Sequence, residues 1–173
     1  MQDWIPIPGT AKARLIDAAI RQFEAHGYDG VNVTDLAAEA GVTTGSLYHH
    51  FKSKLGLYLV VRDEMEKRMY ERMEGAAAAL GGKGREAIEA ALVVSFDAAV
   101  RFGVARILSE PRPDGGPDAI AATLERILPK RLGSAATMLA AAWRGALTEV
   151  VAGTSPAAAR AGLVWVFGAG RAA

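Results

Sequence analysis

Residues 32–54, NVTDLAAEAGVTTGSLYHHFKSK, constrain the fold of this chain more than any other stretch. Asn32 is positioned to cap a short helix, with Asp35 three residues on as its capping-box-like partner. Leu36, Ala37 and Ala40 give that helix an apolar stripe, and Gly41 stands where a left-handed residue would end it. Thr43 then caps a second helix. Its Leu47 faces inward, while Thr44, Ser46, Tyr48 and His49 make a small polar and aromatic outer face. Two short helices joined by a glycine-containing turn form a helix–turn–helix, the usual reader of a DNA major groove.

The flanking sequence extends the same pattern. Thr10 caps a first helix in which Leu15, Ile16, Ala19, Ile20 and Phe23 recur at helical spacing, and it stops near residues 26–27. Residues 1–9 read as a loose arm, with Trp4 and Ile5 packing back on the body. Ser53 opens a long fourth helix, roughly residues 54–80, about 40 Å at 1.5 Å per residue. Leu57, Val61, Met65, Met69 and Met73 step by four along it and read as core. Asp63–Lys67, Glu64–Arg68 and Lys67–Glu71 are expected pairs on its wet side.

Residues 81–84, GGKG, read as a linker: a phosphate loop needs a preceding strand, and Ala77 and Gly84 stand where it needs Gly and Ser or Thr. A fifth helix of about residues 85–109 is apolar nearly all round, as a central helix of a bundle would be. PRPDGGP, residues 111–117, must be a loop. Further helices are expected at about 118–128, 134–152 and 156–168. No segment sustains a period of two, so the expected fold is all-α: a three-helix head joined by a long helix to a C-terminal helical bundle.

Composition narrows the function. The chain has 173 residues and no cysteine, which excludes disulfides and thiolate metal sites. Its N-terminus lacks a signal-peptide layout, and charged residues interrupt every apolar run before the ~20 residues of a membrane span. A soluble cytoplasmic protein is expected. Neither Glu-x-x-His nor a Gly-x-Ser-x-Gly elbow occurs, so no enzyme and no cofactor are expected. Adjacent histidines project about 100° apart on a helix, so His49 and His50 do not read as a zinc pair. Residues 1–54 carry five cations against six anions. DNA affinity must therefore come from local placement and from pairing of two chains.

Residues 41–54, GVTTGSLYHHFKSK, resemble the signature of the tetracycline-repressor-like (TetR/AcrR) family of bacterial transcription regulators. The likeness extends back through residues 10–40, TAKARLIDAAIRQFEAHGYDGVNVTDLAAEA, and covers about the first third of the chain. It implies a DNA-binding domain at 1–54 and a helical ligand-binding and dimerisation domain at 55–173. It also implies a homodimer that represses transcription on a double-stranded DNA operator and is released by a small apolar or aromatic effector. Two alternatives remain: a DNA-binding regulator with no small-molecule pocket, controlled by a protein partner, and a helical interaction module that binds no DNA.

Site roles carry over by position. Thr34, Thr43, Thr44, Gly45, Ser46, Tyr48, His49, His50 and Lys54 are the expected DNA contacts. Tyr48, His50 and Lys54 resemble phosphate anchors, and Lys54 also stands at a helix N-terminus suited to a phosphate. Met69, Phe96, Val100, Phe102 and Trp143 are the expected pocket lining, with Arg101, Arg106 and Arg144 as polar anchors. Trp143, Leu147, Val150, Leu163, Val166 and Phe167 are the expected dimer face. The family often has an acid directly after this lysine. Here Leu55 and Gly56 follow, and Gly56 is expected to loosen the hinge by about 1 kcal/mol relative to Ala.

Overall fold

Nine α-helices make up residues 9–168, the part of the chain that the computed structural model describes. They are α1 (Ala11–Gly30), α2 (Val33–Glu39), α3 (Thr44–Phe51), α4 (Lys54–Ala79), α5 (Arg85–Arg101), α6 (Ala105–Ser109), α7 (Ala119–Ile127), α8 (Ala135–Val151) and α9 (Pro156–Gly168). A 3-10 turn, Lys130–Leu132, precedes α8. No strand occurs among the described residues, and α1–α3 form a head that α4 joins to a bundle. Trp4 and Ile5 of the expected arm lie outside the described residues.

Local chemistry accounts for most of the helix starts. Thr10, Asn32, Thr43, Ser53 and Asp118 each accept a hydrogen bond from a backbone N–H two or three residues ahead, at 2.7–3.2 Å. Gly41 closes α2 at φ 64°. Gly56 has a reason the sequence reading missed. A Cβ there would stand 2.1 Å from the Phe51 carbonyl oxygen. Its absence lets the end of α3 fold tightly onto the start of α4, so glycine here sharpens the corner it was expected to loosen.

The expected fifth helix is two helices. Phe102 caps α5, Gly103 turns left-handed at φ 62°, and the Val104 N–H returns to the Ala99 carbonyl at 3.1 Å. This ends α5 as a glycine-type cap does and frees α6 to turn between the head and α8. The chain shows the cause only as Phe-Gly inside an apolar run.

α6 is clamped to the head at both ends. The Glu24 carboxylate on α1 accepts from the Arg106 and Ile107 N–H groups at 3.0–3.1 Å, capping α6 from another helix. Arg106 answers with Nε on the Glu24 carbonyl at 2.9 Å. At the far end the Glu110 carboxylate accepts the Tyr28 N–H at 3.3 Å. Burial pushes the Glu24 carboxyl above its ordinary range, against the pull of the α6 N–H groups and Arg106.

Gly27 fits this clamp alone. Its φ is 69°, and a Cβ would meet Glu110 Oε1 at 2.6 Å. Gly27→Ala is expected to lower stability by more than the ~1–2 kcal/mol of left-handed strain. Glu110→Ala in the same chain should return the steric part, which thermal denaturation of the single and double variants will check.

Beneath the clamp lies a buried charge network. The Arg62 side chain on α4 is 1% exposed, and its guanidinium donates to Glu66 at 3.0 Å, Tyr58 Oη at 3.2 Å and the Ile107 and Glu110 carbonyls at 2.6 Å each. Arg112 from the loop adds Glu66 at 3.0 Å and Asp63 at 2.7 Å. Asp63 therefore joins Arg112 and not the expected Lys67, whereas Glu64–Arg68 and Lys67–Glu71 form as expected, at 3.1 and 3.9 Å. Phe23, Tyr28 and Tyr58 cluster beside this network, with ring centroids 4.9–6.3 Å apart and Tyr58 edge-on to the other two. The α4 stripe from Leu57 to Met73 fills the middle of the core.

Asp118 closes the body on the other side of the loop. It caps α7 and holds Arg144 of α8 through two bonds of 2.5 and 2.8 Å. Burial alone would raise its carboxyl, but the Arg144 guanidinium and the cap N–H prevail and hold it below its ordinary value of 3.8. A lowered carboxyl stabilises the fold above its unfolded pKa and loses that contribution as the pH falls through about 4 and below. Asp118→Asn keeps a capping side chain but loses the charge. The variant should be less stable than the parent near neutrality, and the gap should close in acid, read as Tm across a pH series.

Candidate nucleic-acid interface

Leu47 and Phe51, four residues apart on α3, are buried in the same core as Leu36 of α2 and Leu15 and Ala19 of α1. That packing turns the other side of α3 outward. Thr43, Gly45, Tyr48, His49 and His50 are exposed, and Thr44 and Ser46 are half-buried. Tyr48 leaves 49% of its surface uncovered. Thr34, in the first turn of α2, is exposed as well. A Cβ on Gly45 would meet only Thr43 Oγ1 at 3.6 Å, so the fold does not require glycine there. The site is a convex rod end carrying hydroxyls, a phenol and imidazoles, with its apolar side committed to the head.

Lys54 is placed differently from expectation. Its ammonium turns back to the Val31 and Asp29 carbonyls, at 2.9 and 3.4 Å, and lies 4.7 Å from the centre of the Tyr28 ring. The carboxyl end of α1 has carbonyls without helical partners, and a cation one corner away satisfies them. Lys54 thus ties α4 to α1. Other head cations are also tied internally: Arg14 bonds the Ala40 carbonyl at 2.9 Å, and Arg21 pairs with Glu39 at 2.7 Å. Hydrogen bonds from Gln22 and then Arg21 hold the Glu39 carboxyl below its ordinary value.

His49 and His50 stand edge to face with ring centroids 5.2 Å apart. Among the described residues, no group of three or more His, Asp and Glu side chains is placed to hold a metal ion. The rod therefore offers hydrogen-bonding groups for base edges and phosphates and little net charge.

The description "Bacterial regulatory proteins, tetR family" matches residues 15–61, which span the greater part of α1, all of α2 and α3, and the corner into α4. The head of this chain is therefore similar to the DNA-reading head of the TetR family. The HTH-type transcriptional repressor AcnR of Corynebacterium glutamicum is 34% identical over 64 residues, covering 37% of this chain and 34% of AcnR. The chain thus matches about a third of the length of that curated relative.

Solved TetR-family structures extend the likeness in fold to the body. A regulator from Pectobacterium atrosepticum superposes with a TM-score of 0.65 at 22% identity, over 90% of this chain and 89% of that one. SmeT, the repressor of the Stenotrophomonas maltophilia multidrug efflux pump SmeDEF, gives 0.64 at 21% identity, over 84% and 80%.

Within the body, the expected pocket residues are divided between the core and the surface. Met69, Phe96 and Trp143 are at most 1% exposed and pack in the core; the Trp143 indole N–H is buried without an acceptor among the described residues. Val100 is half-buried. Phe102 stands on the surface, where Arg72 lies 4.8 Å over its ring, beside Arg101 in a groove of about 340 Å³. Arg106 and Arg144, expected as ligand anchors, are engaged by Glu24 and Asp118.

The expected dimer face also divides. Trp143, Leu147 and Leu163 are buried within the chain, because α5, α6 and α7 cover that side of α8 and α9 packs on α5 and α8. Val150 is half-buried. Val166 is 52% exposed, and Trp165 at 73% and Met138 at 72% are further apolar residues of α9 and α8 left uncovered. The side chain of Phe167 lies outside the described residues.

Sequence reasoning missed Arg62, Glu24 and Glu110. Tyr58, Arg62 and Glu66 repeat every four residues alongside the methionine stripe, which was a legible sign that α4 buries a polar line. Glu24 and Glu110 carried no comparable sign, because their partners are backbone groups about 80 residues away.

Proposed function

We propose that this chain is a dimeric, sequence-specific transcriptional repressor that lays the outer face of α3 into the major groove of a double-stranded operator. The observation that carries the reading is the division of α3: Leu47 and Phe51 anchor it, Thr43, Gly45, Tyr48, His49 and His50 are left exposed, and Thr44 and Ser46 lie half-buried between them. The repressor AcnR, which matches this head, supports the same reading. Thr34 reaches the adjacent backbone, and Tyr48 and His50 serve phosphates. Lys54 acts indirectly, by fixing the angle between α1 and α4. In this reading residues 1–54 bind DNA and residues 55–173 pair the chains and take up the controlling signal.

Pairing follows from the uncovered Met138, Trp165 and Val166 on α8 and α9. Two such faces meeting across a two-fold axis present two heads to one duplex, as a palindromic operator with half-sites about one DNA turn apart requires. The solid packing around Met69, Phe96 and Trp143 favours a signal received at the surface of the body over one received in its interior. No helix among the described residues is long and apolar enough to cross a membrane.

The test is a gel-shift series on duplex fragments from upstream of the protein's own gene, with rising salt, alongside sedimentation of the free protein. Expected are a dimer in solution and retention of one fragment, with affinity that falls as salt rises. A monomer at all workable concentrations, or no salt-dependent retention of any genomic fragment, would overturn the reading.

A further inference from the structure

At the end of the body remote from the head, α5, the turn before α8, and α9 enclose a groove of about 490 Å³. Ile88, Leu132, Leu139 and Val166 line it, together with Arg85 and Arg131, and among the described residues no carboxylate side chain does. The volume is that of a small-molecule site. Among the described residues, neither guanidinium has a hydrogen-bond or ion-pair partner, whereas Arg62, Arg112, Arg126, Arg144 and Arg160 elsewhere in the body each hold an acid.

The helix starts here repeat the asymmetry. α5 begins at Gly84 and α8 at Ser134 without a capping side chain, although α1–α4 and α7 each have one. Gly84 and Ala135, at those two starts, both line the groove. An apolar trough bordered by two exposed guanidiniums, neither holding an acid among the described residues, is complementary to one kind of occupant: an apolar tail ending in an anion.

We propose that this distal groove binds an amphipathic anion, an alkyl chain bearing a carboxylate or phosphate, in monomeric form. The anion pairs with Arg85 and Arg131, and the tail covers Leu132, Leu139 and Val166. Because Val166 is also one of the uncovered apolar residues of α8 and α9, occupancy alters how two chains meet. This regulatory consequence rests on the dimeric repressor reading; the binding itself does not.

Titration calorimetry of the full chain without DNA, using octanoate, octyl phosphate and octanol, separates the two. Expected is saturable binding of both anions at least about ten-fold tighter than octanol, one charge-assisted contact being worth that factor. Arg85→Ala/Arg131→Ala should abolish the preference for the anions, and Leu132→Glu, at an exposed position that leaves the core intact, should weaken both anions.

No saturable binding at millimolar concentrations, an unchanged preference in the double-arginine variant, or capture only by vesicles of anionic phospholipid would each overturn the proposal. So would a groove filled by the second copy, seen as anion binding that appears only when Trp165→Glu prevents pairing. Gel shifts with octanoate then report separately whether occupancy releases DNA. Anion binding by a protein that retains no duplex would leave the groove standing and remove the repressor reading.

Discussion

Arg62→Met is expected to destabilise the protein by about 3–5 kcal/mol, the usual loss when one member of a buried ion pair is removed. Methionine fills similar space but returns none of the hydrogen bonds. Glu66 keeps only Arg112, and the Ile107 and Glu110 carbonyls lose the donor that reaches them at 2.6 Å. The loss falls where α4 meets α6 and the loop, so the head should loosen against the body before the core melts. Urea unfolding followed separately through helix content and through protease sensitivity near residues 104–118 will measure both effects. Arg62→Met with Glu66→Leu should recover a substantial part, because the stranded carboxylate leaves with its partner. An Arg62→Met protein as stable as the parent would mean the network contributes nothing beyond filling space.

Gly45→Glu should abolish operator binding while leaving the fold intact or slightly firmer. The position is exposed, lies in the first turn of α3, and has room for a side chain. Glutamate gains about 0.5–1 kcal/mol over glycine in a helix, and an acid near a helix N-terminus adds about 0.3–1 kcal/mol. Against DNA the same carboxylate faces phosphates, and like charges brought together on docking cost several kcal/mol. A loss of about 100-fold or more follows, since each factor of ten is about 1.4 kcal/mol. Melting temperature and gel shift should thus move in opposite directions. If both fall, Gly45 is structural; if neither falls, α3 does not enter the groove by this end.

The head was largely legible because its signals are local. Thr10, Asn32, Thr43 and Ser53 act on N–H groups two or three residues away, and Gly41 turns the chain on its own account. Leu47 and Phe51 share one side of a short helix that has only one core to face. Such choices need no knowledge of the rest of the molecule. The body lacks that economy. α5, α8 and α9 are apolar on more than one side, so the sequence could name Trp143, Leu147 and Leu163 as buried without saying whether a second chain or this chain buries them.

Long polar side chains were hidden for a related reason. Lys54 stands where a phosphate could be held, yet its four-carbon stem also reaches the carbonyls at the end of α1, and the corner made possible by Gly56 brings those of Val31 and Asp29 to 2.9 and 3.4 Å. Arg112 likewise takes Asp63 away from Lys67 because the loop folds over α4.

By itself, then, the amino-acid order determined the helical content, the caps, the turn at Gly41 and which residues of α3 face away from the head. Those depend on backbone geometry and on period, both of which operate within a few residues. Only the tertiary arrangement decided that α6 is a separate strut, that Glu24, Glu110 and Arg62 hold it to the head, and that Met69, Phe96 and Trp143 pack in the core. Each of those outcomes depends on carbonyls, N–H groups and volume supplied by elements distant along the chain, and their positions follow from the packing of the whole core.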